Sequence, residues 1–243
     1  MRHWNRGKKT VRNFLLALLL VFLIYASQGF PPYTVRGICR QVRHDYLLGE
    51  LEPLYVQRDW RHPSANRYER YTTVAARCGE TYTIFRYADG LLGSHRDWSD
   101  LSPVFGEGAV CVARGGKIYA AGPFAEAATA VAVVRAEKPP APNGNVECRE
   151  FTLEGERLAD QVFVFPYETD YSSFEGEHMG EEDLVLPAVV EMWYRKPAPN
   201  ADPGLYYFEN KDLPCTVTLY NKAGEALETF DLTVTTEGIR SWW

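Results

Sequence analysis

The sequence predicts a mostly β chain: an N-terminal signal-anchor helix, then two β-rich parts, the second resembling an immunoglobulin-like sandwich. Three observations carry this. One unbroken apolar run, FLLALLLVFLIYA, spans residues 14–26 behind a basic start. Short runs rich in Val, Ile, Tyr, Phe and Thr recur from residue 71 onward, separated by turn residues. A Pro- and Asn-rich segment near residue 140 interrupts them.

The leader comes first. Arg2, Arg6, Lys8, Lys9 and Arg12 precede the run with no acidic residue among them. The strictly apolar stretch has signal-peptide length, and continuing it to Phe30 reaches the lower edge of a membrane span. Residues 1–13 are read as a cytoplasmic leader and residues 14–30 as the segment that meets the membrane. The positive-inside bias then leaves the C-terminal part outside, as a single-pass protein. Ser27-Gln28-Gly29 supplies the small residues a signal peptidase requires, so a cleaved, secreted form is the alternative. Pro31-Pro32 ends the helix under either reading.

Removing the five leader cations from 26 Lys and Arg leaves 21 against 32 Asp and Glu, a formal charge of −11. That balance excludes nucleic acid as a partner, and it disfavours docking on an anionic surface through the domain as a whole. The five cysteines, at 39, 78, 111, 148 and 215, form no C-x-x-C pair, which removes zinc ribbons and thioredoxin-type sites. Cys78, Cys111 and Cys215 each alternate in phase with apolar neighbours and are expected as inward-facing thiols. An oxidising compartment would allow two disulfides and one thiol over, but spacing names no pair.

Residues 31–137 are read as a first β-rich domain with a helix at its start. Val35, Ile38, Cys39, Val42 and Tyr46 fall at helical spacing, with Arg36, Arg40 and Arg43 between them. That helix is expected to pack on the domain with its basic face in water; contact with lipid headgroups is the other use for such a face. Tyr71–Cys78 and Tyr82–Tyr87 form one hairpin, Ala109–Ala113 and Lys117–Ala121 another around Gly115-Gly116. Ala128–Ala136 is a strand-length apolar run.

Residues 138–145 are read as a linker, because no regular element crosses that Pro-rich stretch. Residues 146–243 follow as a sandwich-like domain with strands at 146–153, 161–166, 188–194, 205–208, 216–220 and 227–234.

The outstanding irregular stretch is YETDYSSFEGEHMGEEDL, residues 167–184, with seven carboxylates and no Lys or Arg. Long loops in compact domains are usually functional or disordered. Glu175, Glu177, His178, Glu181, Glu182 and Asp183 are therefore candidate binding residues. Trp193 and Tyr207 join them, since adjacent aromatic pairs on strands place one ring of each pair outward. Oxygen-rich side chains suit calcium, but the spacing does not fit an EF-hand loop, so no cofactor and no metal ligand is assigned.

No catalytic residue is assigned either. There is no G-x-S-x-G elbow, no H-E-x-x-H and no phosphate-cradling glycine loop. The T-L-x-T-C strand of membrane-anchored cysteine transpeptidases is not matched at Cys215, which follows Asp212-Leu213-Pro214. The expectation is a non-enzymatic binding or accessory protein of the cell envelope, whose partner is another envelope protein or a glycan. A cell-envelope hydrolase or transpeptidase, or a glycan-binding module, is the alternative.

Overall fold

The structure, a computed structural model, describes residues 6–27, 34–60, 70–90, 93–95, 103–139, 147–168, 185–197 and 206–239. Helix α1 (Arg6–Ser27) is apolar on every side after its first turns. Its Gly7–Ala26 segment has a mean hydropathy of 1.7, and none of it is buried against the protein. Twenty residues at 1.5 Å each give about 30 Å, the thickness of a bilayer core. Among the described residues the helix extends back from the apolar run through Arg12, Lys9 and Lys8. Long basic side chains at such a position can reach the headgroups. The helix is compatible with a signal-anchor or a single-pass span.

Helix α2 (Val35–Asp45) starts where the Thr34 side chain accepts a hydrogen bond from the Gly37 amide at 3.1 Å. Its apolar stripe, Ile38, Cys39 and Val42, is buried as the spacing predicted. Tyr46, at its C-cap, packs on Phe105 with ring centroids 5.2 Å apart.

The strands form two main antiparallel sheets and one short pair. The first holds β1 (Glu52–Trp60), β2 (Arg70–Cys78), β3 (Thr81–Gly90) and β4 (Gly93–His95) in that order, with β5 (Val104–Glu107) also on β3. The second comprises β6 (Val110–Arg114), β7 (Lys117–Ala121), β8 (Thr129–Glu137), β9 (Cys148–Ala159), β10 (Val162–Pro166), β13 (Asp212–Tyr220) and β14 (Ala226–Thr235). Their spatial order is β14-β13-β8-β9-β10-β7-β6. A small ladder joins β11 (Arg195–Pro197) to β12 (Tyr206–Phe208).

The second sheet curls until its two ends, β14 and β6, touch, although no strand ladder joins them. The result is close to a barrel. Ala132, Val134, Phe163, Phe165, Val217 and Ile118 point into its interior. Helix α3 (Leu186–Tyr194) inserts Val189, Val190 and Trp193 into the same core, and Ile239 of the short helix α4 (Thr236–Ile239) joins them.

Outside this core, β6, β7 and β10 present Val110, Val112, Tyr119, Val162 and Val164 to Ala75, Tyr82 and Ile84 of the first sheet. Both faces of these three strands are therefore covered, which explains their continuous apolar character. The other face of the first sheet, with Val74, Ala76, Phe85 and Tyr87, carries α2. The described layers run helix, sheet, curled sheet, core helix.

Two expectations are corrected. Residues 188–194 are helical rather than a strand: Pro187 sits in the first turn, where its missing N–H is harmless, and the curled sheet encloses Val189, Val190 and Trp193 while Glu191 is half-buried and Met192 exposed. The 138–145 segment does not separate two sheets. It closes the β8–β9 hairpin, where Glu137 opposes Cys148 and the Lys138 amide donates to the Glu147 carbonyl at 2.8 Å. The chain instead changes sheet at Gly108, whose φ of +77° favours glycine.

Candidate functional site

The structure brings the three arginines of α2 to one wall of a groove of about 770 Å³. Arg36, Arg40 and Arg43 recur at helical spacing opposite the buried Ile38 and Val42, so packing of the apolar stripe forces them outward. Glu50, Leu51, Glu52 and Pro53, at the start of β1, make the other wall. The turn after α2, with Leu47 in the left-handed region at φ 54°, carries the chain back to form that wall.

The electrostatics of the groove are asymmetric. Glu52 is held by Arg77 at 2.7 Å, outside the lining, and this pairing raises the Arg77 guanidinium above its ordinary range. Among the described residues no carboxylate lies within ion-pair distance of Arg36, Arg40 or Arg43. Glu50 is then the one lining carboxylate not already matched by an ion pair, against three guanidiniums. Such an arrangement suits planar, bidentate recognition of phosphate or carboxylate oxygens.

A second hollow, of about 240 Å³, lies between Arg135, Lys138, Tyr194 and Lys211. Its cations are already matched: Arg135 with Glu137 at 3.2 Å, Lys138 with Glu147 at 2.7 Å, Lys211 with Glu209 at 3.9 Å. Smaller and internally neutralised, it offers less to a charged ligand.

Of the residues singled out in the sequence, Glu175, Glu177, His178, Glu181, Glu182 and Asp183 lie outside the described residues. The described chain on either side is well fixed. Tyr167 is buried with its hydroxyl donating to the carbonyls of Gly238 and Ile239, and Leu186 sits in the barrel core. Trp193 is in that core, 7 % exposed, and its neighbour Tyr194 is also buried. A helix, unlike a strand, directs both members of the pair inward here. Tyr207 lies on β12 opposite Lys196. Among the described residues, no three of His, Cys, Asp and Glu gather at metal-ligating separation.

The groove uses residues that the sequence reading noted without assigning. The arginine spacing was visible; the opposite wall was not, because β1 opens on Glu52-Pro53, which carries no strand signal. No protein-family model, no curated protein sequence and no solved structure matches this chain.

Proposed function

We propose that this chain is a membrane-anchored accessory protein that exposes its β-rich domain outside the cytoplasm and acts by binding rather than catalysis. The arginine groove is its ligand site, and the ligand is the phosphate of an anionic headgroup in the membrane that holds α1. The observation carrying this reading is the place of the groove along the chain. Val35 follows Ser27 by eight residues, so the end of the apolar helix and the start of α2 are within about 29 Å at full extension.

Charge supports the same orientation. The domain is strongly acidic as a whole, so an anionic bilayer repels most of its surface. The α2 face is the basic exception, and it is the described part of the domain closest in sequence to the anchor. The field would turn α2 toward the headgroups and the rest of the domain away.

The test uses the full chain in nanodiscs of zwitterionic lipid with and without phosphatidylglycerol. Amide hydrogen exchange over residues 35–48 is expected to slow when the anionic lipid is present, and added salt should reverse the effect. Simultaneous Arg36→Gln, Arg40→Gln and Arg43→Gln substitution should abolish it. Equal exchange in both discs would reject the lipid as ligand.

A further inference from the structure

Cys111 and Cys215 stand 104 residues apart in the chain, yet their sulfurs are 3.7 Å apart. They come from opposite sides of the open seam in the curled sheet. Cys111 is on β6, one terminal strand of the order, and Cys215 is on β13, next to the other terminal strand. Both are thiols here, both are in the barrel core, and they are 3 % and 1 % exposed.

We propose that Cys111 and Cys215 form a structural disulfide that closes the barrel across its β6–β14 seam. This rests on the reading that the domain is exported, since thiols are oxidised outside the cytoplasm and kept reduced within it. Every other neighbouring pair of strands in that sheet is joined by backbone hydrogen bonds. At the seam, strands touch without a ladder, and a covalent link would supply the closure that hydrogen bonds do not. Side-chain rotation has to bring the sulfurs from contact to the ~2.0 Å of a bond. Closing so long a loop restricts the unfolded chain strongly.

The chemistry is a two-electron exchange with a disulfide-bonded oxidant, either an oxidised thiol oxidoreductase or a small disulfide compound of the export compartment. One cysteine thiolate attacks a sulfur of the oxidant's disulfide and forms a mixed disulfide, releasing one oxidant thiolate. The second cysteine thiolate then displaces the other oxidant sulfur. Two thiols of this chain are oxidised and the oxidant leaves as two thiols, carrying the two protons. Timing follows from burial. In the closed barrel no bulky oxidant reaches these sulfurs, and burial pushes the Cys111 thiol well up, away from the reactive thiolate. Exchange therefore takes place before the core closes, and the finished bond is shielded from reductants.

The full chain, recovered from its own membranes after acid quenching, is unfolded and alkylated without reductant, then mapped by peptide mass. Protease treatment of intact cells, run in parallel, reports which side of the membrane holds the domain. The expected result is an external domain with a 111–215 linked peptide lighter by two hydrogen atoms, and alkyl groups on Cys39, Cys78 and Cys148. An external domain with both Cys111 and Cys215 alkylated would overturn the inference. A domain found inside the cell would instead remove the exported reading. The pairing is then decided by refolding the purified full chain from denaturant in a glutathione redox buffer. A 111–215 link formed there supports the geometry, and two free thiols overturn it.

Discussion

The Tyr194 hydroxyl, on core helix α3, donates to the Glu137 carbonyl at 2.8 Å and accepts from the Glu137 amide at 3.3 Å. One phenol thus occupies both backbone groups of the residue that ends β8, at the point where the chain leaves the sheet for the long β8–β9 loop. The contact pins the helix inside the barrel to the barrel wall and replaces a ladder partner at the strand end.

Tyr194→Phe keeps the ring and removes this bridge. It is expected to destabilise the domain by about 1–2 kcal/mol, because partly buried backbone groups lose a partner. Urea unfolding of the two proteins should show a lower midpoint with an unchanged slope. The pH dependence has a definite sign. Burial, opposed by the bond to Glu137, raises the Tyr194 phenol above its ordinary value. Its stabilisation is complete below the unfolded tyrosine pKa of about 10 and is lost as pH rises through the higher folded value. The same Tyr194→Phe substitution should flatten that alkaline decline.

Gly238 is a residue where no side chain fits without displacing backbone. A Cβ there would run into the Ala113 carbonyl, backbone that is held in β6. Gly238→Ala should destabilise by about 1–3 kcal/mol, the usual range for overpacking. Gly79→Ala serves as the contrast: it meets no neighbouring atom, and its penalty comes from a φ of +62° alone. Thermal melts of both variants would separate the clash from the backbone strain, and equal shifts would contradict the packing account.

Glu209 accepts an ion pair from Lys196 and is held below the usual carboxylate range, first by that bond and then by Lys211. Stabilisation from a lowered carboxyl is present above its unfolded pKa and disappears as pH falls through the folded one. Since the pair is solvent-exposed, its effect on stability is small. The clear readout is the carboxyl itself: Lys196→Gln should move the Glu209 midpoint upward in an NMR titration.

Cysteine accessibility gives a further check on the layers. Cys148 is exposed, with the Arg135 Nε 2.9 Å from its sulfur, whereas Cys39 is buried under α2 and its thiol is pushed up by burial. Brief alkylation of the folded chain should label Cys148 well before Cys39. Comparable labelling would mean that α2 does not stay on the first sheet.

Periodicity was the most legible signal. Ile38, Cys39 and Val42 announced the buried stripe of α2, and the runs at 71–78, 82–87, 109–113 and 117–121 became the hairpins of both sheets. The misses have local causes. Val189 and Val190 made 188–194 look extended, although Pro187 in the first turn was available as a helix-start signal. The strand expected at 146–153 continues as β9 through Gly155 to Ala159, with Phe165 and the Ala130 carbonyl close to where a Gly155 side chain would sit. Residues 138–145 looked like a boundary because composition reports the absence of regular structure and not which strands it joins. The groove depended on β1 folding back beside α2, a tertiary event that no local pattern encodes.

The curled sheet also sets an order of events during synthesis. Its seam brings β6 against β14, so the interior around Phe124, Phe163 and Phe230 cannot be sealed until the much later strand has been made. During that interval the half-built wall shows apolar surface to whatever holds or degrades nascent chains. A helper that holds this chain until β14 arrives would therefore raise its yield without changing the finished fold.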